Sequence, residues 1–206
     1  MNSVGLDDVR AQLEVAGFKK RAGQVFTREF GGELLGWLGL NRATRHRSVG
    51  VVEVNPVVGV RHQGVERIVA ELRGEKFHAY QPPTVSVPLG YLMPERRYRG
   101  WVFGADGSAD VAGDLASAVE RYAVPFMEDA VQLPRLCELL DDGMGFDHQL
   151  VYRRPAALVL AGNERRALAL VVQAEEDLGD RSDAAATEMR AFAVAFRERF
   201  GFSSSG

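Results

Sequence analysis

The sequence has one cysteine among its 206 residues, so no disulfide can form within the chain. A lone thiol fits a reducing compartment and excludes the small secreted scaffolds that several disulfides hold together. Cys137 lies between Leu136 and Leu139 in a helical pattern, which predicts a buried thiol rather than a reactive nucleophile.

Long apolar runs are also absent. No stretch approaches the roughly 20 apolar residues that a helix needs to cross a bilayer. The start of the chain lacks the basic residues and apolar core of a secretory signal. We therefore expect a soluble cytoplasmic protein with no membrane partner.

Neither sign of charge dominates, because 25 Lys and Arg stand against 28 Asp and Glu, for a net charge of −3. Such a balance argues against wholesale binding of nucleic acids or anionic membranes. The only lysines are Lys19, Lys20 and Lys76. This preference for arginine, together with abundant alanine and valine, is typical of GC-rich bacterial coding and carries no information on mechanism.

Residues 6–72 carry the clearest structural pattern, which is a helix, three strands and a second helix. Hydrophobic residues make up 46% of the chain, enough for a substantial core. Val9 and Leu13 recur at the spacing of one helix face. Gly31 and Gly32 are a hairpin signal, because both can adopt positive φ without steric cost. The predicted strands are residues 24–30, 33–41 and 49–60, and the second helix is residues 65–72.

The rest of the chain predicts one more strand and several helices. Alternation over residues 98–103 predicts a fourth strand, whereas the prolines in residues 75–88 predict an extended crossing. Pro56 lacks an N–H for a sheet and so marks an edge or a bulge. We predict an α+β fold, with an antiparallel sheet of four or five strands and helices packed mainly on one face. The predicted divisions are an α+β domain at 1–140, a helical C-terminal extension packed on it at 141–202, and a disordered tail at 203–206.

Three groups of residues also stand in a recognisable order. They are Gly17-Phe18-Lys19-Lys20 with Phe26 and Arg28, Val54-Asn55 with Gly59-Val60, and Trp101 with Tyr122-Ala123-Val124-Pro125-Phe126. In this order the chain resembles an uncharacterised bacterial family, domain of unknown function 4304, over residues 6–140. The resemblance implies an α+β fold and transfers no active site. Immunity proteins of bacterial toxin systems share this general appearance, and that link is an analogy.

Residue patterns for catalysis, metals and cofactors are missing. No two of the four histidines are spaced as metal ligands on one helix or strand. The turn at residues 104–107 lacks the lysine of a P-loop and a full dinucleotide fingerprint, and no serine stands in a nucleophile-elbow motif. We therefore predict no catalytic residue, no metal and no cofactor, and we lean towards a protein that is not an enzyme.

The leading hypothesis is a non-enzymatic protein-binding module, in the form of an immunity-type inhibitor of a toxin. Period-two alternation along the second and third strands places Trp37, Asn41, Glu53 and Asn55 on one side, as a candidate partner-binding patch. The other interpretation is that Trp37 packs under the C-terminal helices. A structure with Trp37 fully buried would remove this patch from consideration.

Two further hypotheses stay open. A pocket between the sheet and the helical tail, using His78, Tyr80 or Arg28, would indicate a small-molecule-binding protein or a small enzyme. Binding of phosphate or nucleic acid would use two arginine clusters, the second of which lies beside Tyr98 and Trp101. The candidate anion-binding residues are Arg42, Arg45, Arg47, Arg96, Arg97 and Arg99.

Overall fold

A computed structural model describes residues 6–43, 51–104 and 108–202. Its strands are β1 (Lys19–Lys20), β2 (Val25–Glu29), β3 (Leu34–Arg42), β4 (Val52–His62), β5 (Val85–Pro88) and β6 (Trp101–Phe103). Its α-helices are α1 (Leu6–Val15), α2 (Gln63–Leu72), α3 (Ser108–Ala118), α4 (Val124–Asp129), α5 (Leu133–Asp141), α6 (Asp147–Leu160), α7 (Glu164–Glu176) and α8 (Ala184–Phe200). A 3-10 turn (Leu89–Tyr91) follows β5, and a π-helical turn (Val119–Ala123) joins α3 to α4.

The sheet is antiparallel throughout, in the order β1-β2-β3-β4-β5, with β6 also paired to β4. At 11 residues β4 is long enough to hold two partners in succession. Residues 57–60 pair with β5, and residues 52–54 pair with β6. On this side of β4, the interval of residues 55 and 56 pairs with neither strand, whereas on the other side it pairs with β3.

Pro56 lies in this interval. Leu40, its register partner in β3, donates its N–H away from β4, to the Gln24 carbonyl at 2.9 Å. In antiparallel pairing the nitrogen of Pro56 must then point away from β3, towards the gap between β5 and β6. The proline therefore breaks no hydrogen bond of the described sheet, which is how a long central strand can contain it.

The two faces of the sheet are covered by different parts of the chain. Leu38, Leu40, Val54 and Val58 are at most 1% exposed, and they belong to a single hydrophobic core that includes side chains from every α-helix. Residues 75–84 cross the opposite face, where the Trp37 indole donates a hydrogen bond to the carbonyl of Tyr80. Helices thus cover one face, and an extended segment covers part of the other.

The predicted α+β fold is confirmed, with an antiparallel sheet and a helical C-terminal section. In that section α6 packs against α2 and α5, and α8 packs against α7 and α2. Several details differ from the prediction. Strand β1 is not among the predicted strands, and it brings the described sheet to six strands against the expected four or five. The extended crossing ends in strand β5, and α6 starts at Asp147 and continues through Pro155, although the apolar run in the sequence begins only at residue 156.

Replacing Gly59 with alanine tests how closely the backbones of β4 and β5 approach each other. A methyl group here would overlap the carbonyl oxygen of Val85 and lie 3.0 Å from the Cα of Ser86. These backbone atoms move only if the strands separate, so we expect Gly59→Ala to lower the free energy of unfolding by about 2–3 kcal/mol. Urea denaturation would show this as a lower midpoint.

Gly104→Ala is the matched control, because no atom lies within 4 Å of a Cβ built at that position. We expect its free energy of unfolding to stay within about 0.5 kcal/mol of the wild-type value. Equal midpoints for the two variants would contradict the close approach of β4 and β5.

Candidate functional site

Trp37, the predicted centre of the partner-binding patch, is buried at 7% exposure. Its Nε1 donates to the carbonyl oxygen of Tyr80 at 3.1 Å, and its ring lies over Gly39. The indole is therefore a packing residue in this structure. Its cover comes from the segment at residues 75–84, and not from the C-terminal helices.

The other three residues of the predicted patch lie together at one end of the sheet. Asn41 is directly opposite Asn55, and Glu53 is paired with Val102 of β6. The side chains of Glu53 and Asn55 both lie against Gly100, where a Cβ would collide with them. Asn55 Oδ1 is buried and has no hydrogen-bond partner among the described residues. This end of the sheet therefore packs around a glycine and contains an unused acceptor.

The same end of the sheet brings parts of the two arginine clusters together. Arg42, at the end of β3, pairs with Val54 of β4, which pairs with Trp101 of β6. Two strand spacings separate Arg42 from Trp101, which is a backbone distance of about 10 Å. Alternation places Arg42 on the face of Leu40 and Val54, opposite to that of Asn41 and Asn55. Arg45 and Arg47 lie outside the described residues.

The arginines before β6 differ in their surroundings. Arg99 donates to Asp114 at 2.6 Å and stacks 4.8 Å from the centre of the Trp101 ring, which itself donates to the same carboxylate. Arg99 thus ties β6 to α3. Arg96 and Arg97 are exposed and form no ion pair with any residue that the structure describes.

We call the surface formed by Asn41, Asn55, Tyr98 and Val102 the Tyr98 surface. Trp101 and Phe103 face the core, so alternation directs Val102 to the opposite side. Gly100 lies against Glu53 and Asn55, and Tyr98 lies in the irregular segment that precedes β6. Tyr98 is 56% exposed and Val102 is 43% exposed. A cavity of about 250 Å³ opens beside it, lined in part by Arg97 and Tyr98.

The residues of the pocket hypothesis are dispersed. His78 borders a cleft of about 150 Å³ that neither Tyr80 nor Arg28 lines. Tyr80 is 41% exposed and lies 4.2 Å beneath the guanidinium of Arg21, whereas Arg28 lies against the Phe30 ring. Among the described residues, neither the cleft beside His78 nor the cavity beside the Tyr98 surface is lined by more than one of these three side chains.

Sequence reasoning missed a buried charge network, which we call the Glu66 network. Glu66 of α2 lies 3.4 Å from Arg61 of β4 and 2.9 Å from Arg153 of α6, and it accepts a hydrogen bond from Thr84 at 2.8 Å. All four residues are at most 7% exposed. One carboxylate therefore serves two guanidinium groups in the interior.

Arg61 also forms hydrogen bonds with the segment that crosses the sheet, residues 75–84. Its Nε donates to the carbonyl of Ala79 at 3.2 Å, and its other nitrogens donate to the carbonyls of His78 and Pro82. Burial lowers the pKa of Arg61 to about 10, and attraction to Glu66 opposes that change. The guanidinium is therefore charged at neutral pH, and its hydrogen bonds hold residues 75–84 in place.

A sequence signal for this network did exist. Glu66 lies one residue after Val65 and three before Val69, inside the apolar stripe of α2. A charge in such a stripe is buried only when it has a partner. The partners come from β4 and α6, however, and nothing local to α2 identifies them.

His62 joins β4 to α2. Its Nδ1 accepts a hydrogen bond from the Val65 N–H at 3.3 Å, which caps the helix. Protonation would remove this acceptor, and burial lowers the pKa of His62 below its ordinary value. The neutral imidazole is thus the form that the fold favours.

No helix of the described residues is long and apolar enough to cross a membrane, and no three His, Cys, Asp or Glu side chains among them gather as metal ligands. No protein-family model matches the chain, and neither a curated protein nor a solved structure does. The resemblance to domain of unknown function 4304 therefore stays a prediction.

Replacing Glu66 tests the buried network. Glu66→Gln leaves Arg61 and Arg153 without a carboxylate, and we expect the free energy of unfolding to fall by roughly 3–5 kcal/mol. Glu33→Gln is the control, because Glu33 pairs with Arg67 at a surface where the side chains are 47% and 52% exposed. That variant should lose no more than about 1 kcal/mol. Equal losses in chemical denaturation would contradict the assignment of Glu66 as the buried hub.

The His62 cap predicts a dependence on pH. Between the lowered pKa of the folded state and the ordinary value, the unfolded chain binds more protons, so acidification through that interval lowers stability. His62→Asn keeps a capping acceptor that does not titrate. Between about pH 7.5 and about pH 5, wild type should therefore lose more stability than the variant. Parallel curves of unfolding midpoint against pH would contradict this role.

Proposed function

We propose that the chain is a non-enzymatic protein-binding module whose interface is the Tyr98 surface, with Arg96 and Arg97 at its edge. The observation that carries the proposal is the exposure of Tyr98 (56%) and Val102 (43%) beside two guanidinium groups without ion pairs among the described residues. Exposed tyrosine and arginine next to apolar area are the side chains that contribute most to protein interfaces.

Charge indicates the chemistry of the partner. Arg96 and Arg97 are exposed at the edge of the Tyr98 surface and have no ion pair among the described residues. The carboxylates at this end are Glu95, beside them in the chain, and Glu53, which lies against Gly100. An acidic protein surface complements this arrangement and would also speed association. The adjacent cavity of about 250 Å³ could admit one partner side chain next to Arg97.

An immunity-type inhibitor of a toxin is the specific form of this function that the sequence raised. Such a protein needs one tightly bound protein partner and no catalytic residues. The sequence supports the proposal because it contains no recognised catalytic motif. The structure supports it with an exposed surface of aromatic and basic side chains on the sheet.

The test compares matched surface variants as bait for stoichiometric capture from the native host's lysate. Val102→Asp and Arg97→Glu alter the proposed interface, while Val194→Asp and Arg165→Glu place the same changes on exposed positions of α8 and α7. We expect wild type and both controls to retain one acidic protein, and each interface variant to lose at least about tenfold in affinity. A partner retained equally by all five proteins would contradict the interface.

A nucleic acid is the other ligand that these arginines could bind. Retention of RNA or DNA, with an affinity that falls steeply with salt and a salt slope reduced by about one in Arg97→Glu, would replace the protein-binding proposal. Circular dichroism and thermal unfolding of each variant would separate loss of binding from loss of folding.

A further inference from the structure

Buried charge in the Glu66 network is not balanced. Arg61 and Arg153 are 1% and 0% exposed, and Glu66 is the one carboxylate that either contacts among the described residues. Arg153 donates through Nη2 to Glu66 at 3.2 Å and through Nη1 to the Thr84 carbonyl at 3.5 Å, while its Nε, 2.9 Å from Glu66, has no aligned acceptor among the described residues. Arg61 donates to the carbonyls of His78, Ala79 and Pro82. These polar groups offset part of the cost of burial, and the network keeps one positive charge that no described carboxylate balances.

A cleft of about 150 Å³ opens directly against this network. Its floor includes Arg61, Glu66 and Arg73, and the side chain of Arg73 is only 10% exposed. Arg73 pairs with two carboxylates, Glu75 at 2.9 Å and Glu188 of α8, so these three side chains carry one net negative charge. The positive charge at the cleft comes from the Glu66 network and from Lys76, and this negative charge offsets part of it.

The mouth of the cleft carries hydrogen-bond donors that are not in use. Lys76 and Gln81 line it and form no hydrogen bond or ion pair with any described residue. Gln149 of α6 accepts from Arg73 through its oxygen, which leaves its amide NH₂ available. These donors come from the segment at residues 75–84 and from α6, on two sides of one opening.

The charged side chains that line the cleft, together with their ion-pair partners, carry one net positive charge. The cations are Arg61, Arg73, Lys76 and Arg153, and the carboxylates are Glu66, Glu75 and Glu188. Glu66 faces the cleft, but its two oxygens already accept from Thr84 and contact both buried guanidinium groups. Its repulsion of an incoming anion is accordingly reduced.

We propose that this cleft binds a small oxyanion, a phosphate or carboxylate group, held by Lys76, Gln81 and Gln149 above the Arg61 guanidinium. The volume supports a single anionic group, because pockets for larger organic ligands measure about 300–1,000 Å³. Unused donors and excess positive charge together favour an oxygen anion over a neutral ligand.

This site is separate from the Tyr98 surface. Asn55 and Arg61 are six residues apart along β4, which corresponds to about 20 Å. An anion held by Lys76, Gln81 and Gln149 would join residues 75–84 to α6. Binding would therefore stabilise the fold in proportion to the free anion concentration.

Inorganic phosphate and acetate are the probes, each titrated into the full chain by calorimetry at neutral pH and at constant ionic strength set with chloride. We expect saturable binding of one anion per chain and a rise in the unfolding midpoint relative to chloride alone. Lys76→Gln should weaken the binding about tenfold, since it removes one charge-assisted hydrogen bond at an exposed position. Lys20→Gln, in the exposed strand β1, is the control and should bind like wild type.

The two probes identify the source of the oxyanion. Binding of phosphate alone assigns the site to phosphate groups, and binding of acetate alone assigns it to carboxylates. No saturable binding of either anion, or equal affinity in wild type and Lys76→Gln, would overturn the proposal. Neither result bears on the Tyr98 surface, whose variants lie at the other end of β4.

Discussion

The rest of the structure depends on one carboxylate that two buried guanidinium groups share. Glu66 joins β4 through Arg61, α6 through Arg153 and the start of β5 through Thr84. β4 and α2 are consecutive, whereas Thr84 and Arg153 are 18 and 87 residues from Glu66 in the chain, so the network joins local and distant segments. Removing one member of such a buried set leaves the others uncompensated, which costs more than an equivalent change at the surface.

The network also determines which part of the sheet stays open. Arg61 holds residues 75–84 across one face, and that segment covers Trp37. The segment crosses only part of the face, so Tyr98 and Val102 remain exposed at the far end of β4. At one end of β4 the crossing segment covers the sheet and buries Arg61. At the other end Tyr98 and Val102 are exposed beside basic side chains. The two proposed binding sites follow from this division.

Much of the fold could be predicted from local patterns, whereas little of the site could. Period-two alternation predicted β2, a continuous apolar run predicted β3 and β-branched residues predicted β4. Pro56, predicted to mark an edge or a bulge, lies beside the gap between β5 and β6. Pro155 obscured the start of α6, because local propensity disfavours a proline that tertiary packing tolerates. The alternation that groups Asn41 and Asn55 was visible in the sequence. The proximity of Arg42 to the segment before β6 was not, since it depends on both strands pairing with β4.

The sequence by itself determined the α+β class and the impossibility of an internal disulfide, because each follows from local spacing or composition. Only the tertiary structure decided which charges are buried. Arg61 and Arg97 both follow apolar or aromatic-rich stretches, yet one is 1% exposed beneath a crossing segment and the other lies at the surface. Burial depends on which distant segments cover a residue, and that is a property of the packed chain rather than of its neighbours in sequence.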